Sequence, residues 1–225
     1  MPNSVDMNMS LGDMVRFEKM CPEFGGFPSR VVAGSKYETW VDRLYEDLDL
    51  IIRNQIRPTA NYRQNDVEDR FNVDIAGFLN CKGYNASHDK WTNGHPDIYV
   101  EKTTTGYKWI GESKIHRKYD DLLEGFKQLT ERYSSGFDNE QHGAVLIISK
   151  NKDIGNMMGT WKDTLIQDSW FTKRNIKAKD CQKDKMCFYT EHSHTTSSIN
   201  YSVKHIPISI YFSPIDKSGL KSIKV

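Results

Sequence analysis

The chain has 225 residues, 37% of them hydrophobic and 27% charged, with 31 basic against 30 acidic side chains for a net charge of +1. This composition supports a real core and excludes wholesale disorder, while the balanced charge does not by itself mark a nucleic-acid or membrane partner. No stretch approaches the roughly 18 apolar residues of a spanning helix, no secretory leader is expected, and Cys21, Cys81, Cys181 and Cys187 are too few and scattered for a disulfide scaffold, so a reducing, cytoplasmic setting is expected.

Residues 1–34, with Pro22 and Pro28 around Gly25-Gly26, carry no sustained periodicity and read as an irregular N-terminal arm. Residues 35–225 read as a single domain. Ser35 is placed to cap a helix to about Ile56, with Tyr37, Trp40, Val41, Leu44 and Leu48 at helical spacing and Pro58 as its stop. A second helix is predicted over 65–80, closed by Lys82-Gly83. Extended segments follow at 84–88, 97–101 and 107–115, then a strongly amphipathic helix over 117–133. The apolar run 143–149 reads as a fully buried strand. A helix over 160–171, a basic stretch over 173–185, and strands at 186–192 and 201–212 complete a mixed α/β order.

Glu112-Ser113-Lys114 is the only acidic-x-Lys tripeptide in the chain. Thr103-Thr104-Thr105-Gly106 invites a hairpin turn between the second and third strands. Positions summing to 209 then face one another, so Tyr99 meets Ile110, Glu101 meets Lys108, and Asp97 lands opposite Glu112. Two carboxylates directly opposite destabilise a sheet, and a hard divalent cation between them removes that conflict. Mg²⁺ is held by one or two carboxylates plus waters and phosphate oxygens. Lys114, two residues on, projects from the same face. Two metal-binding acids and an ammonium on one face suit phosphodiester hydrolysis.

His95-Pro96-Asp97 followed by Glu112-Ser113-Lys114 resembles the PD-(D/E)XK nuclease superfamily, with its restriction-endonuclease-like fold. The likeness extends over about residues 65–150. Glu68 matches the upstream helical acid, Gly83-Tyr84 the turn into the first core strand, Gly94 the small residue before Pro-Asp, and Gln128 with Tyr133 the glutamine–tyrosine element, although these two are five apart where four is commoner. The resemblance implies an αβββαβ core with a mixed central sheet flanked by helices. It implies Asp97, Glu112 and the Ser113 carbonyl as ligands of Mg²⁺, with Mn²⁺ as a substitute. It further implies Lys114 as catalytic lysine, with Glu68 and Gln128 in support and Glu68 joining the metal site. The activity implied is that of a metal-dependent DNA nuclease, preferably an endonuclease, with a role in restriction, phage–host conflict, recombination or repair.

Positive charge to track double-stranded DNA is sought in His116, Arg117 and Lys118, just after the catalytic strand, and in Lys173, Arg174 and Lys177. Cutting both strands requires two centres, hence a homodimer or sequential nicking. Trp91 and Asn93, before Asp97, are candidates to stack on a base, against a core role for the tryptophan. His95 is expected in a turn. No Gly-x4-Gly-Lys-Ser/Thr motif is present, so no nucleotide cofactor is expected. Two alternatives are a non-catalytic nucleic-acid-binding module of the same fold and a zinc-binding interaction protein. The second rests on Cys181, Cys187, His192 and His194, whose spacing fits no common finger.

Overall fold

The computed structural model describes residues 10–21, 26–91 and 94–213. Its centre is the hairpin that the polar turn at 103–106 predicts. Strand β2 (Ile98–Lys102) pairs antiparallel with β3 (Tyr107–Ile115) in the expected register, from Ile98 opposite Gly111 to Lys102 opposite Tyr107. Strand β1 (Asn85–Ser87) adds to the outer side of β2. On its other side β3 runs parallel to β4 (His142–Ser149). Ala144 to Ile148 are buried on both faces of β4, which is why that segment is a continuous apolar run. Three further strands, β5 (Lys177–Asp180), β6 (Phe188–Ser193) and β7 (Asn200–Ser209), complete a mixed seven-stranded sheet of order β1-β2-β3-β4-β7-β6-β5.

Helices cover both faces. On one lie α3 (Tyr37–Ile51) and α4 (Glu68–Cys81), whose Leu44, Leu48, Phe71 and Ile75 pack on Ile98, Val100, Trp109 and Leu146. On the other lie α5 (Tyr119–Lys127), α6 (Ile154–Gln167) and α7 (Ser169–Lys173), whose Phe126, Trp161 and Phe171 pack on Ile110, Val145, Ile147 and Val203. The element order α4-β1-β2-β3-α5-β4 is the helix–three-strand–helix–strand series expected over 65–150.

Several sequence expectations are corrected. The described parts of the N-terminal arm are helical: α1 (Leu11–Met20) starts on a Ser10–Asp13 capping box, and α2 (Phe27–Ala33) carries Pro28 in its first turn. Arg30 on α2 ties it to the domain through Asp47, a carboxylate with no exposed surface. Asp47 also meets Arg43, Lys82 and the Tyr84 hydroxyl. Burial alone would raise its pKa, but Arg30, Tyr84 and Arg43 together hold it below the ordinary value. Helix α3 is preceded by Lys36 with no side-chain cap, so Ser35 is not the cap. Pro58 sits inside a 3-10 turn (Arg57–Thr59) that follows a π-helical turn (Ile52–Ile56). The helix expected over 160–171 begins at Ile154, capped by Asp153, and breaks at Asp168, which caps α7. Strand β5 occupies part of the basic stretch.

Candidate active site

The site forms where β3 outruns its neighbour. The β2–β3 ladder ends at Ile98–Gly111, leaving Glu112 to Ile115 without a β2 partner. Two carboxylates take the exposed strand edge. Ser113 N–H donates to Asp97 Oδ2 at 2.7 Å, and Ile115 N–H donates to Glu68 Oε1 at 2.8 Å. A residue's N–H and C=O in a strand point to the same side, so the Ser113 carbonyl faces the same edge as Asp97. Glu112 N–H belongs to the β4 side. Asp97 precedes β2 and is not paired with Glu112 in the ladder, contrary to the expectation from the hairpin register; it reaches the site through the Ser113 N–H, next in the chain to Glu112.

Glu112 is 2% exposed, and its Oε1 accepts from Lys114 Nζ at 2.7 Å. Its Oε2 is buried with no hydrogen-bond partner. A buried carboxylate oxygen without a partner carries a large desolvation cost. Burial, followed by the charge of Asp97, pushes the Glu112 pKa up to about 7 against the pull of Lys114. Asp97 is raised as well, by burial and with a contribution from Glu68, against the Ser113 N–H and Lys114. Burial works to lower the Lys114 pKa, but Glu112, Asp97 and Glu68 outweigh it and hold the ammonium charged. Three carboxylates against one ammonium leave two negative charges when all are ionised, the deficit that one divalent cation fills. The unpartnered Glu112 oxygen and the adjoining Asp97 thus fit a hard divalent ion.

Among the described residues no three His, Cys, Asp or Glu side chains converge as a ready metal cluster. Glu68 stands at the edge of the site, oriented by the Ile115 N–H. The structure therefore offers two carboxylates for a metal, with Glu68 beside them.

Helix α5 crosses closely over Lys114 because it presents Gly125 there. A Cβ on Gly125 would lie 2.9 Å from both Lys114 Cγ and Cε. No periodicity argument singles out this glycine. Beyond α5 the chain widens into a π-helix (Gln128–Tyr133), with Ser134 N–H donating to the carbonyl of Leu129 at 3.1 Å. The five-residue spacing of Gln128 and Tyr133 is one i to i+5 turn of that segment. Tyr133 lies under Gly94, whose φ of +145° and lack of side chain let the backbone rest on the ring; a Cβ there would be 2.5 Å from it. The Tyr133 pKa is raised by burial and then by the charge of Glu112.

A cleft of about 810 Å³ opens from this site and is lined by Glu68, Lys114, His116, Arg117, Gln128 and Lys150. Gln128 reaches Glu124 at 3.4 Å, not the acids. His116 faces Asn151 across 3.2 Å, and burial lowers its pKa. Lys118 pairs with Asp121 on the exposed start of α5. The second basic group is elsewhere. Lys177 lies on β5, four strand positions from β3 and so about 19 Å away. Lys173 ends α7, and Arg174 is paired with Glu131 and stacked on Trp170.

The remaining candidates separate as follows. Trp91 is 71% exposed, so it is no core residue; Asn93 lies outside the described residues. His95 pairs with Asp89 in the preceding loop. Cys187 immediately precedes β6 and His192 lies five residues on within it, about 17 Å away along an extended chain, so the four zinc candidates do not share an ion. His194 is engaged at both nitrogens, by Ser134 and by the Thr196 N–H. All four cysteines are free.

No protein-family model matches the chain, and neither a curated protein nor a solved structure matches it.

Proposed function

We propose that the chain is a divalent-metal-dependent DNA nuclease of the PD-(D/E)XK type, with Asp97 and Glu112 as metal ligands and Lys114 as the catalytic lysine. The carrying observation is the pair of acids at the end of the β2–β3 ladder, with a buried, unpartnered Glu112 oxygen and Lys114 on the same face. A purely structural role accounts for Asp97 and Glu68, which cap backbone N–H groups. It does not account for Glu112, which caps none and is held ionisable in a buried place.

When bound, the cation supplies Lewis-acid activation of water and neutralises charge on the phosphate. The chain's own residues do the rest. Asp97 is fixed by the Ser113 N–H, so its carboxylate needs no reorganisation on loading. The Ser113 carbonyl opens on the same edge as a third oxygen donor. Lys114 holds its proton, and with Glu112 holding a metal it would be the ammonium available to a phosphate oxygen or the incoming water. Arg117 and Lys150, in the cleft beyond, supply the local positive charge that a chain of net charge +1 needs to hold a phosphate backbone. Lys173, Arg174 and Lys177 lie outside this cleft, on and after α7 and on β5. No described helix is long and apolar enough to cross a membrane.

The test is incubation of the protein with supercoiled and linear DNA in Mg²⁺ or EDTA, beside Asp97→Ala and Lys114→Ala. Mg²⁺-dependent cutting lost in both variants is the expected result. Undiminished cutting by both variants rejects the assigned site.

A further inference from the structure

One step along the strand face from the two acids lies a second cavity. Tyr99 and Ile110 are a cross-strand pair, and Ile110 lies two residues, or about 7 Å, along β3 from Glu112 on the same face. They floor an open cavity of about 200 Å³ whose walls include Trp91 and Tyr133. Its rim carries Lys108 and Glu140 as an ion pair, with Ser135 donating to Glu140. Lys90 stands 4.4 Å over the Tyr99 ring. Trp91 is left 71% exposed at the mouth, an unusual state for so large an apolar ring.

Three properties define what fits. The size is that of one planar ring, since an engineered cavity of about 150 Å³ holds a benzene. The walls are aromatic, which suits stacking on a π-face. The rim is polar, carried by the Lys108–Glu140 ion pair and Ser135. The position, adjoining the acids on a continuous face, puts that ring within reach of the phosphate they would hold. Gly94, pressed on Tyr133, keeps the wall in place.

We propose that this cavity is a base-binding subsite that takes one unpaired nucleobase next to the scissile phosphate, stacked between Trp91 and Tyr133. The inference rests on the nuclease reading for the position of the phosphate. It makes the preferred substrate DNA that is single-stranded or locally unpaired, because a stacked and paired base cannot enter.

The test is binding of the full chain to labelled 12-nucleotide single strands and matching duplexes in EDTA, each intact or with one abasic site stepped along the strand. Removal of the base at one position is expected to weaken binding by roughly 5- to 100-fold. Trp91→Ala, at an exposed position that does not endanger folding, is expected to weaken binding of the intact strand by a similar factor. It should also erase the effect of the abasic site, the non-additivity of groups in contact. Abasic effects of less than about 2-fold at every position, additive losses in the variant, or no binding at all would overturn the subsite. Lys114-dependent cleavage with uniform abasic behaviour rejects the subsite and keeps the nuclease. A position-specific, Trp91-dependent effect without cleavage does the reverse.

Discussion

Asp97 and Glu68 reach one strand edge from different elements: Asp97 accepts the Ser113 N–H at 2.7 Å and Glu68 the Ile115 N–H at 2.8 Å. The edge that β2 leaves uncovered is closed by acids, and Glu112, which takes no backbone donor, completes the group. On the proposed nuclease reading, structural and chemical duties overlap at Asp97, and substitution separates them.

Asp97→Asn keeps an oxygen for the Ser113 N–H, whereas Asp97→Ala leaves that donor unpaired. Denaturant unfolding should show a loss of about 1–3 kcal/mol for the alanine variant and less than about 1 kcal/mol for the asparagine variant. Both should lose cleavage by about 100-fold or more, since a metal ligand supplies several kcal/mol of transition-state stabilisation. Wild-type cleavage by Asp97→Asn would remove the residue from the chemistry.

Burial, and then the charge of Asp97, push the Glu112 pKa up to about 7 from an ordinary glutamate value of 4.5. Below pH 4.5 the group is protonated in both states and the fold has its full stability. As pH rises through 7 the folded protein must ionise a buried carboxyl, and stability falls by an amount on the order of 3 kcal/mol at most. Glu112→Gln should match wild type at pH 4 and exceed it by about 1–3 kcal/mol at pH 8 in chelator. Added Mg²⁺ should narrow that gap by stabilising only the wild type. Equal unfolding midpoints at pH 8 would show that Glu112 is not held in the strained ionised form.

The same titration governs loading. Metal binding displaces the Glu112 proton, so at sub-saturating Mg²⁺ the cleavage rate should rise through a limb near pH 7. Raising Mg²⁺ should move that limb to lower pH. A limb that stays in place across a wide range of Mg²⁺ would assign it to a different group.

Gly125→Ala puts a Cβ against the stem of Lys114 while improving helix propensity by up to about 1 kcal/mol. Thermal stability should change little, and cleavage should fall by about 10-fold or more through displacement of the ammonium. Unchanged cleavage would mean that Lys114 has no fixed position in the reaction.

Arg117 lines the cleft, whereas Lys177 sits on the far edge strand. For a short duplex, Arg117→Ala should reduce the slope of log affinity against log salt by about 1 and Lys177→Ala should leave it in place. The reverse pattern would relocate the DNA path to the β5 side.

The hairpin and its register from Ile98 to Lys102 were legible because polar turn residues and two-residue alternation both act locally; the ladder stops short of Asp97, which accepts the Ser113 N–H instead of pairing with Glu112. Strand β4 was legible because double-sided burial leaves no polar residue between Gly143 and Ser149. Strand β5 was hidden for the opposite reason: Lys177-Ala-Lys-Asp forms an outermost strand with mostly exposed side chains, and its charges resemble a loop. Helices α1 and α2 are short and lean on contacts such as Arg30 with Asp47 that no local window contains. The start of α6 was missed because Gly155 and Gly159 mask the inward Met157, Met158 and Trp161. At the site, the two acids and the lysine were readable on one strand face. Gly125, the cap on Ile115 from Glu68, and the exposure of Trp91 depend on how separate elements approach, which spacing along one element does not encode.

The two flanks of the sheet bear on how a duplex would be severed. One flank is a three-residue strand and the other carries lysines, so neither invites a second copy to extend the sheet by main-chain pairing. On the proposed nuclease reading, two copies acting together would meet through surfaces other than the sheet edges, and a lone copy would break a duplex one nick at a time.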